Sequence, residues 1–85
     1  MNKYFKLPDL SRTIAYIIFR DGRNNGVRYR TLKERFERFD EKTIKTSLES
    51  LMTQVPPLLV FDDKNKSYRA SPELETTLNR LRSFT

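Results

Sequence analysis

The residues of this chain best equipped for chemistry are cations: 17 Lys and Arg stand against 11 Asp and Glu, a formal net charge of +6. There is no His and no Cys. That removes imidazole and thiolate metal ligands, Ser–His and Cys–His nucleophile pairs, disulfides and the usual general base. Asp62 and Asp63 are adjacent carboxylates, but neighbours on a strand point to opposite faces and do not converge on a substrate. No catalytic set, metal site or cofactor site emerges, so the chain reads as a binder and not an enzyme. Its partner is expected to be a polyanion or an acidic surface.

Three groups of residues could hold an anion. Arg23, Arg28 and Arg30 surround residues 27–30, and Thr31 opens the segment that follows. A helix beginning at Thr31 would add free backbone N–H groups for a phosphate. Lys42, Thr43, Lys45 and Thr46 form a second group, in which the lysines suit guanine acceptors or phosphates and the threonines suit base edges or thymine methyls. Lys64, Lys66 and Arg69 form the third. Each group has a plainer reading: an exposed strand face, a solvated helix with an i,i+4 pair from Glu41 to Lys45, and a solubilising hairpin tip.

Eighty-five residues make one domain, read as residues 1–85. Leu, Ile, Val and Phe number 23 of 85, enough for a thin core. No apolar run approaches the roughly 20 residues that span a bilayer, and Met1–Leu10 lacks a signal-peptide core. The expectation is a cytoplasmic protein with no membrane partner.

The periodicity then predicts the elements. After an arm at 1–8, Leu10, Ile14, Ile17 and Ile18 share one face of a helix over 9–21, with Asp9 as N-cap and Gly22 as stop. Residues 22–26 (GRNNG) are a turn, and 27–30 alternate as a short strand. Thr31 and Glu34 have capping-box spacing, predicting a helix over 31–39 that buries Leu32, Phe36 and Phe39. Asp40 caps a helix over 41–54 with Ile44, Leu48, Leu51 and Val55 inward, stopped by Pro56 and Pro57. A hairpin over 58–70 turns at 63–66, where Asn65 is suited to a positive φ. Ser71 and Pro72 start a final helix over 71–83. Its Leu74, Leu78 and Leu81, with Phe84, either cover the core or form a homodimer contact. Tyr4, Phe5 and Leu7 either pack on the domain or join that contact.

Two helices joined by a tight turn and followed by a hairpin make the plan of a winged helix-turn-helix. Residues 27–51 (VRYRTLKERFERFDEKTIKTSLESL) and 67–81 (SYRASPELETTLNRL) resemble the helix-turn-helix and the second wing strand of HxlR-like and MarR-like regulators. The resemblance implies an α+β, mostly α fold with a three-stranded antiparallel wing sheet and a C-terminal helix. It also implies double-stranded DNA as partner, residues 41–54 in the major groove and the wing on the backbone, in a transcriptional regulator. The charge map favours an alternative, a winged-helix adaptor that binds a protein in a transcription, replication or repair complex. Residues 1–30 carry net +5, 31–57 net zero and 58–85 net +1, so the excess lies upstream of the helix expected to read DNA.

Overall fold

The computed structural model describes residues 7–23 and 25–83 of the chain. Asn24, Tyr4, Phe5 and Phe84 lie outside them, so the expectations for those residues do too; Leu7 of the N-terminal arm is described and packs into the core. The element order is α1 (Asp9–Asp21), β1 (Val27–Arg28), α2 (Tyr29–Arg35), α3 (Glu41–Thr53), β2 (Leu59–Asp62), β3 (Ser67–Ala70) and α4 (Pro72–Ser83). The fold is α+β and mostly helical, with one three-stranded antiparallel sheet in the order β1-β3-β2.

Helix α1 supplies the centre of the core. Ile14, Ile17 and Ile18 are buried on the face that their spacing predicts, with Ser11, Ala15 and Phe19 beside them. Asp9 is not its cap: the helix already includes Asp9, and its carboxylate bonds the Arg12 guanidinium instead of a backbone N–H. Gly22 stops the helix at φ −101°, with its N–H on the Ile18 carbonyl at 2.9 Å. A Cβ there would lie 2.6 Å from that carbonyl oxygen, so close approach selects glycine here.

The strand and helix that follow differ from expectation. The strand is two residues long, and Tyr29 and Arg30 already belong to α2. Thr31 is therefore inside the first turn, Arg28 stands at the N-cap without a side-chain cap bond, and the Thr31–Glu34 box does not form. The helix ends at Arg35 because the chain must turn sharply to reach extended Asp40 (φ −73°, ψ 163°). That turn rotates Phe39 outward to 44% exposure, while Phe36 still packs on the core.

Asp40 caps α3 as expected, accepting from the Thr43 N–H at 2.8 Å. Ile44, Leu48 and Leu51 are buried. Val55 is not: the helix ends at Thr53, and Val55 is 80% exposed. The Leu58 N–H then returns to the Leu51 carbonyl, and the Ser71 N–H to the Leu58 carbonyl, so the sheet is latched between α3 and α4.

In the β2–β3 turn the Asp62 carboxylate accepts from the N–H groups of Lys64 and Asn65 and from the Asn65 side chain. Asn65 is occupied in that way, and the positive φ falls on Lys66 at 52°. The Ser71 hydroxyl accepts from the Leu74 N–H at 3.2 Å and caps α4. Leu74 and Leu78 are buried in the core and Leu81 packs against it. Of the two readings of these leucines, core cover is observed for Leu74 and Leu78, while Leu81 is only partly buried.

Candidate nucleic-acid interface

Strand register sets which cations meet. Arg28 pairs with Ser67 and Val27 with Tyr68, so β1 lies along the half of β3 nearest the 63–66 turn. Arg28, Thr31, Asn25 and Asn65 line one cleft of about 420 Å³, with Asp21, Gly26 and Val27. The N-terminal half of α3 reaches the same end: the Lys45 ammonium lies 5.3 Å from the centre of the Tyr29 ring, and Tyr29 follows Arg28 directly. The β1 strand, the hairpin turn and the start of α3 thus gather at one end of the sheet.

Two contacts hold the turn before β1 in place. The Ser67 hydroxyl donates to the Asn25 carbonyl at 2.6 Å. Gly26 sits at φ +80°, where a Cβ would strike the Ser67 hydroxyl and lie 2.8 Å from the Tyr68 carbonyl oxygen. Only glycine joins a left-handed backbone to so close an approach.

The eleven predicted contact residues divide by what they already touch. Lys45 is 3.1 Å from Glu41. The hydrogen bond between them holds the Glu41 carboxyl below its usual range and raises the Lys45 ammonium. Arg30 faces Glu34 at 3.6 Å, Lys66 faces Asp63 at 3.9 Å and Arg69 faces Asp62 at 3.8 Å. Asp62 is itself held low, first by the Asn65 side chain. By contrast, Arg23, Arg28, Lys42 and Lys64 make no ion pair among the described residues. Thr43 and Thr46 are exposed on α3 beside Lys42.

The arginine group is split. Arg28 stays on the strand, Arg30 has moved onto α2, and the two no longer share a strand face. Thr31 offers no helix start to a phosphate, since α2 begins two residues earlier and is only seven residues long. Arg23 turns away from this cleft, stacks 5.4 Å over the Phe19 ring and lines a different one, of about 310 Å³, with Arg69, Glu75 and Asn79.

Two contributors were not anticipated from the sequence. Tyr29 supplies the platform under Lys45; its hydroxyl is buried without a partner in normal hydrogen-bond geometry, and burial, with Glu41 nearby, raises its pKa. Asp21 draws both Arg20 (2.9 Å) and Arg35 (3.2 Å), which removes two cations from the available set. Arg20 and Asp21 are neighbours in the chain, but Arg35 lies fourteen positions from Asp21 and Lys45 sixteen from Tyr29, and no local spacing signals those two contacts.

Among the described residues no helix is long and apolar enough to cross a membrane. No protein-family model, curated protein or solved structure matches this chain.

Proposed function

We propose that the chain is a duplex-DNA-binding domain of the winged helix-turn-helix kind, acting as a small transcriptional regulator. The element order and the strand order β1-β3-β2 are those such a plan requires. The observation that carries the reading is the meeting of β1, the hairpin turn and the start of α3 at one end of the sheet. There Arg28, Lys42 and Lys64 are exposed and without acidic partners among the described residues. Lys42, Thr43 and Thr46 would meet base edges in the major groove, with Arg28 and Lys64 on flanking phosphates. Anisotropy titration of a labelled duplex at several salt concentrations tests this. Affinity should fall with salt at about −0.9 in log–log slope per phosphate neutralised, and absence of binding at low salt would rule the reading out.

One feature favours the alternative, an adaptor that docks on another protein. On α3 the Glu41–Lys45 pair cancels one cation, and Glu49 is exposed. A stoichiometric protein partner captured without DNA, with its binding lost on Thr46→Arg, would support that reading over the first.

A further inference from the structure

The two edges of the sheet are unlike. The β1 edge is two residues long and ends in the cation Arg28. The β2 edge is Leu59–Asp62, and no strand among the described residues pairs with its outer side. Val60 and Phe61 on it are 41% and 43% exposed. Twelve consecutive residues, Ser50 to Phe61, carry no charge, in a chain where a third of all residues are charged. Sheet edges are normally blunted by charge or proline; this one has a single carboxylate at its end, Asp62.

We infer that β2 pairs antiparallel with β2 of a second copy of this chain, about a twofold axis through Phe61, joining the two sheets into one of six strands. The occupant is a second copy because the excess positive charge of the chain does not oppose it here. Leu59, Val60 and Phe61 carry no charge, and the one charge on this edge, Asp62, is opposite in sign to the net +6, so the edge offers no cation to a polyanion. A twofold contact also closes on itself and does not grow into a fibre.

The register follows from geometry. A twofold normal to an antiparallel pair keeps side chains on matching faces only when it passes through a residue position. Centring it on Phe61 sets the two Phe61 rings opposite each other, an aromatic cross-strand pair. On the other face each Asp62 falls opposite the second copy's Val60. Val60 pairs with Arg69 within its own sheet. Asp62 and the second copy's Arg69 therefore share one cross-strand row, opposite charges separated by Val60. Pro57, which has no N–H, ends the ladder on one side, and the 63–66 turn ends it on the other. A contact of this length is small, so the dimer is weak and depends on concentration. It makes no use of DNA and does not depend on the proposed function.

Sedimentation velocity from roughly 10 μM to roughly 1 mM should show a monomer passing to dimer. Phe61→Lys should abolish the shift. Val55→Lys should leave it intact, since it adds the same charge beyond Pro57. Helical circular dichroism checks that each variant folds. An independent arm uses the absence of cysteine in this chain. Phe61→Cys should cross-link to itself under mild oxidation faster than Val55→Cys, although Val55 is the more exposed and random collision would favour it. A wild type monomeric throughout the range, equal loss of association in Val55→Lys, or faster cross-linking in Val55→Cys would each overturn the inference.

Discussion

Lys45 is held by Glu41, 3.1 Å away on the preceding turn of α3, and rests on the ring of Tyr29. This cation, on the flank of the helix expected to face the groove, is therefore already satisfied within the domain. Lys42, one turn nearer the start of the helix, has no such partner among the described residues.

This relationship separates the two lysines in a binding experiment. Lys42→Ala should weaken duplex binding and reduce the salt slope by about 1. Lys45→Ala should have a smaller effect, because the Lys45 ammonium is already bonded to Glu41 and stacked on Tyr29 and is not directed at a phosphate. Glu41→Gln should raise affinity, since it releases Lys45 and removes a carboxylate. Anisotropy titrations of the three variants at matched salt decide it, and equal effects of the two alanine changes would contradict the assignment.

The turn before β1 predicts a second outcome. Gly26→Ala forces a side chain into a left-handed conformation and against Ser67 and the Tyr68 carbonyl. The expected cost is about 2 kcal/mol of unfolding free energy, read by urea denaturation. Because β1 and the hairpin turn meet there, any DNA affinity should fall with it, measured well below the denaturation midpoint.

The α4 leucines provide a third. Leu78 is only 4% exposed within its own domain, so Leu78→Ala should destabilise the fold by about 3 kcal/mol. It should do so equally at low and high protein concentration. A concentration-dependent loss would instead place Leu78 in an interface between copies.

How much of this was legible in the sequence depends on the range of the interaction. The faces of α1 and α3 were readable because Ile14, Ile18, Ile44 and Leu48 bury themselves through helical spacing alone, and Asp40 and Ser71 cap through local bonds. The start of α2 was not. Thr31 and Glu34 have capping-box spacing, yet Tyr29 enters the helix early and comes to lie under Lys45, sixteen positions on. The site followed the same division. Sequence located the cations, but only the fold shows that Asp21 gathers Arg20 and Arg35, and that the register of β1 on β3 sets Arg28 beside the 63–66 turn. Val55 was misread because helical spacing continues on paper past Thr53, where the backbone does not.

A final prediction concerns pH. The carboxyls of Asp21, Asp40, Glu41 and Asp62 are all held below their ordinary values. The main causes are, in turn, the Arg20 hydrogen bond, the Thr43 side chain, the Lys45 hydrogen bond and the Asn65 side chain. A depressed carboxyl contributes stability that is complete above its unfolded pKa and is lost as pH falls through the folded one. With ordinary values of 3.8 for Asp and 4.5 for Glu, and no His to titrate near neutrality, the thermal midpoint should be flat from about pH 8 to about pH 5. It should then decline below about pH 4 as the α3 cap and the 63–66 turn lose their acceptors. In Asp40→Asn, which keeps a capping oxygen without a titrating group, the acid decline should be shallower than in the wild type. A midpoint that already falls between pH 7 and pH 5 would show that some other group controls the transition.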